Sequence, residues 1–127
     1  MSGLHVKRFE DAEVWQDARK VTQSIYQLSA IPPFAKDWAL MDQVRRAAIS
    51  IMANIAEGSE RGTTKEFVYF LGIALGSAAE VRSHLYLAFD LGYISQEQLD
   101  NLVKSLNSIM RQLKGLRRSL SASTSAL

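Results

Sequence analysis

The chain has 127 residues, enough for one domain around a single core. Hydrophobic residues make up 47% and charged residues 22%, with only two prolines, a balance that suits a soluble globular protein. With no cysteine, a disulfide framework and a thiolate metal site are both excluded, which is compatible with a reducing cytoplasm, the expected location.

Residues 1–9 read as an N-terminal arm without the uninterrupted apolar core of a signal peptide. The first helix is expected over about 10–30. Val14, Trp15, Ala18, Val21, Thr22, Ile25 and Leu28 recur there at three- and four-residue spacing, forming one stripe. Ile31-Pro32-Pro33 ends it, because proline cannot continue the hydrogen-bond ladder and restricts the residue before it.

The second helix is expected over 37–60, on a stripe of Trp38, Met41, Val44, Ala48, Ile51, Met52 and Ile55, with Gly58 and Gly62 punctuating its far end. The third, over 64–91, opens on a capping box. Thr63 accepts from the N–H of Glu66, whose carboxylate is expected to reach back to the N–H of Thr63. Phe67, Phe70, Leu71, Ala74, Leu75, Ala78, Val81, Leu85 and Ala88 follow in register, and Gly92 is a natural stop. Its apolar run, Phe67 to Ala79, is shorter than the roughly 18 residues of a membrane span, so no membrane is expected as a partner.

A second box, Ser95 with Gln98, starts the fourth helix, over 96–118. Its stripe is Leu99, Leu102, Val103, Leu106, Ile109, Met110, Leu113 and Leu116. The last stretch, SLSASTSAL, is small and polar, and a disordered tail over 119–127 is expected. No segment alternates as a strand does. Four helices with short connectors predict an all-α, antiparallel up-down-up-down four-helix bundle spanning residues 10–118.

The net charge of +2 is unevenly spread. Residues 1–100 hold ten Lys/Arg against thirteen Asp/Glu, whereas Lys104, Arg111, Lys114, Arg117 and Arg118 follow with no acid. Two explanations stand. Cations in the last turns of a helix complement its negative end, or they form a surface for an anionic partner, extended by Lys65 and Arg82.

Helical bundles house carboxylate-bridged metals when two Glu-x-x-His pairs face inward. The histidines here are His5, ahead of the first helix, and His84, four residues after Glu80; no second pair exists, and adding Glu57 gives at most three ligands. No metal or other cofactor is expected, and an i,i+4 hydrogen-bonded pair accounts for Glu80 and His84. Nucleophilic catalysis lacks a recognisable Ser–His–acid set. GSERGTTK lacks the phosphate-loop spacing and has no strand before it, so a capped turn accounts for it better than an anion site.

The stretch SIMANIAEGSERGTTKEF raises a different question. Arg46, Ser50, Asn54, Glu57 and Arg61 run down one side of the second helix as a polar stripe. On the third, Gly72, Gly76 and Ser77 leave a smooth strip where another backbone can come close, leading toward Glu80 and His84. A half-buried carboxylate needs a cation or several donors. Arg45, Arg46, Arg61 and Arg82 are the candidates for Glu57 and Glu80. The residues serve either a structural network or an intersubunit contact or ligand groove.

The pieces FEDAEVWQDAR, DQVRRAAISIMANIAEG, KEFVYFLGIALGSAAEV and LGYIS, in this order over roughly residues 8–115, resemble the four-helix bundle proteins encoded by intervening sequences of bacterial large-subunit ribosomal RNA genes. That resemblance implies antiparallel bundles assembled into rings of five, with no catalytic residues. It also implies a distant relation to the accessory protein of diversity-generating retroelements, which binds nucleic acid. The family's recurring polar positions fall on Arg45, Arg46, Ser50, Asn54, Glu57, Arg61, Lys65, Ser77 and Glu80. Met52 stands where proline is common, so the second helix is expected to run straighter. Arg82 and His84 stand where acidic or neutral residues are usual. The expectation is a non-enzymatic homo-oligomer, a pentamer, that associates with RNA or DNA or acts as a scaffold. Its rival is a protein–protein adaptor receiving a peptide or helix in a groove lined by Asn54, Glu57 and Glu80.

Overall fold

The computed structural model describes residues 8–125, so His5 and most of the N-terminal arm lie outside the described residues. Four helices carry the fold: α1 (Glu13–Ser29), α2 (Trp38–Glu60), α3 (Thr64–Asp90) and α4 (Gln96–Ser125), with short 3₁₀ turns at Phe9–Asp11 and Phe34–Lys36. The first helix begins later than its pattern suggests, because Phe9 turns back to meet Trp15 edge-on at 5.2 Å. Side-chain caps start the other three. Asp37 accepts from the N–H of Leu40 at 3.1 Å. Ser95 accepts from Gln98 N–H at 3.1 Å while the Gln98 amide oxygen accepts from Ser95 N–H at 2.9 Å, a complete box. At Thr63 only half the expected box forms. Glu66 N–H donates to the hydroxyl at 3.2 Å, but the carboxylate accepts from the hydroxyl at 2.9 Å rather than from the backbone N–H.

Contacts between neighbouring helices fix their directions. Thr22 donates to the Ala48 carbonyl and Arg45 to Ser29; Ser50 meets Ser77 while Tyr93 reaches Asp37; Arg82 meets Asn107 while Arg117 reaches Val68. In each pair of helices one partner's number rises as the other's falls, so each helix runs antiparallel to the next. Gln112 donates to Asp17 at 2.8 Å and closes the circle between α4 and α1.

The predicted stripes meet inside. Ile25, Ile51, Ile55, Leu71, Leu85, Leu106, Ile109 and Leu113 are essentially sealed from water, so truncating any one to alanine costs about 2–5 kcal/mol. Phe34, in the α1–α2 connector, joins them and stacks on Tyr93 at 5.2 Å between ring centroids. Trp38 does not join them: it is 76% exposed. It stands six residues before Val44, about 240° around the helix, and Leu40 fills the place assigned to it.

The fourth helix also departs from expectation. It continues to Ser125 instead of giving way to a tail at residue 119. The reason is Leu120, four residues after Leu116, which packs against the core and prolongs the stripe. Among the described residues no helix is long and apolar enough to cross a membrane.

Candidate functional site

The polar stripe of α2 separates into independent pieces. At the α2–α3 seam the Ser50 and Ser77 hydroxyls lie 2.8 Å apart. The Asn54 amide donates to the Ser50 hydroxyl at 3.0 Å and the Ser50 carbonyl at 2.8 Å. One turn on, the chemistry is ionic. Arg61 donates to Glu57 at 3.1 Å and to Glu66 at 3.0 Å, across the turn into α3. Hydrogen bonding to Glu66 first, then Glu57, raises the Arg61 pKa. The Thr63 hydroxyl, then Arg61, hold the Glu66 carboxyl below its ordinary value. Glu57 and Arg61 are each about half exposed, so water screens their pair and its energetic weight is small.

The remaining members go elsewhere. Arg45 is turned about 100° from Arg46 and reaches α1, where it donates to the Ser29 hydroxyl at 2.8 Å and lies 4.3 Å over the Tyr26 ring. Arg46 pairs with Asp42 at 2.8 Å on the exposed side of α2. Among the described residues Glu80 meets only His84, at 3.2 Å, and Arg82 donates to Asn107 on α4 at 2.8 Å. Of the four arginines considered for Glu57 and Glu80, Arg61 alone serves. No buried side-chain nitrogen or oxygen among the described residues lacks a partner. At the α2–α3 seam Ser50, Asn54 and Ser77 thus satisfy one another within the chain.

Nor does the Gly72, Gly76 and Ser77 strip bring backbones together. Gly72 lies under the Arg117 guanidinium, Gly76 has nothing within 4 Å, and Ser77 is buried against Ser50. The close approach is at Gly58, where a Cβ would sit 2.8 Å from the Phe70 Cβ. Periodicity could not reveal this, because Gly58 reads as a helix-end signal.

Among the hollows on the described part of the bundle are two that are not lined by Asn54, Glu57 or Glu80. One, of about 670 Å³, lies between α1 and α4 among polar side chains including Asp17, Lys20, Gln27, Asn101, Lys104 and Ser108. The other, of about 280 Å³, lies between α3 and α4, lined by Tyr86, Asp100, Val103, Lys104, Asn107 and Arg111. Among the described residues no three His, Asp or Glu side chains are grouped to hold a metal ion.

The cations of the chain's end sort into two kinds. Arg117 is half-buried, donating to the Val68 carbonyl at 3.2 Å and covering Gly72, so it is a fixture of the α3–α4 contact. Lys104, Arg111, Lys114 and Arg118 are exposed and make no hydrogen bond or ion pair among the described residues. Lys104, Arg111 and Arg118 stand seven apart, so they drift only about 20° per step and form one stripe some 20 Å long. Lys65 is exposed in the first turn of α3, at the end of the bundle where Arg117 reaches Val68. Because α4 runs to Ser125, its last turn holds no basic residue. The helix-end explanation for these charges therefore fails, since that effect fades beyond the final turn.

Tyr86, Asn107 and Asp100 go unnoticed in the sequence. The one available signal is Tyr86, an aromatic one residue out of step with the apolar stripe at Leu85.

A solved structure shares this arrangement. It is a protein of unknown function from the S23 ribosomal protein family of Bacteroides thetaiotaomicron, with a TM-score of 0.75 and 25% sequence identity, over 82% of this chain and 97% of that one. No curated protein matches the sequence. Residues 10–115 match the 23S rRNA-intervening sequence protein family, covering all but the ends of the bundle. The chain belongs to the 23S rRNA-intervening sequence protein family.

Proposed function

We propose that this protein is a non-enzymatic, self-associating helical bundle that holds nucleic acid against the outer side of α4. The observation that carries the reading is the stripe of Lys104, Arg111, Lys114 and Arg118, exposed and without protein partners among the described residues. Cations without intramolecular partners, away from a helix end, are available to neutralise phosphates, and each phosphate neutralised steepens the salt dependence of binding.

Self-association is supported by a second surface. Along α3 and its C-cap, Tyr69, Ile73, Leu87 and Leu91 are 63%, 37%, 47% and 49% exposed, with the bare Gly76 between them. A second copy laid along this stripe covers apolar side chains that the monomer leaves in water. The resemblance of the sequence to ring-forming bundles makes a ring of five the assembly to expect, and a ring repeats the α4 stripe in every subunit.

Size-exclusion chromatography with light scattering, at low and high salt and with and without RNA, tests both parts. A multimer that takes up RNA at low salt and releases it at high salt is expected. A multimer indifferent to RNA and DNA favours the second reading, a protein–protein adaptor whose contact surface is the α3 stripe. A monomer at all concentrations removes the assembly.

A further inference from the structure

We propose that the hollow between α3 and α4 is a nucleotide subsite, in which one base of a single-stranded nucleic acid stacks on Tyr86 while Lys104 and Arg111 hold the flanking phosphates. The inference rests on the nucleic-acid reading above and adds to it the form of the ligand and the residue that grips its base.

Three observations converge on the hollow. Its volume, about 280 Å³, falls just below the range of pockets that take whole small ligands, which fits one ring system with its chain passing outside. Tyr86 lines it, 49% exposed, and makes no hydrogen bond or ring contact among the described residues, so the ring is available and is not a core element. Lys104 and Arg111 also line it, one on each side of Asn107 along α4 and about 10 Å apart on the helix axis.

The polar groups in the hollow suit a base better than a phosphate. Arg82 can only donate, so its 2.8 Å bond fixes the Asn107 oxygen toward it and leaves the Asn107 amide N–H groups as donors. Asp100 accepts from Gln96 with one carboxylate oxygen and keeps the other as an acceptor. A carboxylate repels a phosphate but accepts from the N–H groups that every base edge carries. A duplex keeps its base faces stacked on one another and has none to offer Tyr86. An aromatic ring beside a cationic track is the arrangement by which single strands are held with little sequence preference.

The test uses the full chain and short single strands of RNA and DNA carrying 2-aminopurine, beside a duplex of equal length. Wild type and Tyr86→Phe are expected to quench the 2-aminopurine and bind alike. Tyr86→Ala is expected to lose the quenching and bind about tenfold more weakly, with an unchanged salt slope and an unchanged melting temperature. Lys104→Ala and Arg111→Ala should each reduce the salt slope by about 0.7 for single strands.

If Tyr86→Ala binds and quenches like wild type while the two cation variants weaken, the stacking subsite is wrong and the electrostatic surface stands. The stacking subsite is equally wrong if the duplex binds as tightly as the single strand and Tyr86→Ala changes neither. If wild type binds neither strand nor duplex, the nucleic-acid reading fails together with the subsite.

Discussion

The hydroxyls of Ser50 on α2 and Ser77 on α3 lie 2.8 Å apart, and the Asn54 amide donates to the same Ser50 oxygen at 3.0 Å. Ser77 is only 9% exposed. Removing one hydroxyl leaves the other without its partner across the seam, so Ser50→Ala or Ser77→Ala alone should cost about 1 kcal/mol or slightly more. The double variant should cost less than the sum of the two, because both members of the pair go together. Urea denaturation of the four proteins measures this coupling, and strictly additive losses would show that the contact contributes nothing as a pair.

Two glycines should respond in opposite directions to the same change. At Gly58 an added methyl meets Phe70 Cβ at 2.8 Å and Phe67 Cδ1 at 3.0 Å, so Gly58→Ala should push α2 from α3 and lose about 1–3 kcal/mol. At Gly76 nothing lies within 4 Å, and Gly76→Ala should raise the stability of the isolated chain by up to about 1 kcal/mol through helix propensity. Dilute thermal melts separate the two. If Gly76→Ala also weakens self-association by light scattering, the bare glycine is a point of contact with a second copy.

Neighbouring arginines on α4 should likewise divide. Arg117→Met removes the bond to the Val68 carbonyl and the cover over Gly72, and should lower stability by roughly 1 kcal/mol. Arg118→Met touches an exposed side chain with no partner among the described residues, and should leave the melt unchanged while weakening RNA binding at low salt. Equal effects of both variants on the melt would contradict the division of the basic residues into fixtures and free charges.

The acid limb of the stability curve should involve Glu66. Its carboxyl is held below the ordinary value of 4.5 by the Thr63 hydroxyl first and Arg61 second. A lowered folded-state pKa means stability that is present at neutral pH and lost as the pH falls through the folded value, from about pH 5 downward. Glu66→Gln, which cannot titrate, should flatten that part of a melting-temperature profile. An unchanged acid slope would assign the loss to other carboxylates.

The sequence alone determined the architecture. Stripes at helical spacing, the capping residues Thr63 and Ser95, and the stops at Pro32 and Gly92 are local signals, each carried by residues within a few turns of one another. Hence the helices and most of their buried faces were legible, as was the family. Errors arise where the deciding neighbour is distant in the chain. Arg45 and Arg46 look equivalent until α1 is seen to lie beside one and solvent beside the other. Gly58 reads as a helix end and Gly76 as a place of close approach until Phe70 is seen to stand over Gly58 and nothing over Gly76. The basic end of α4 looks like a helix terminus until Leu120 joins the stripe, and its packing on the core carries the helix to Ser125. Which polar side chains close a joint and which remain open to a ligand depends on the atoms opposite them. That opposition is created only when the four helices pack, and so the tertiary structure alone decides that Ser50 meets Ser77 at the α2–α3 seam and that Tyr86, Lys104 and Arg111 share a hollow between α3 and α4.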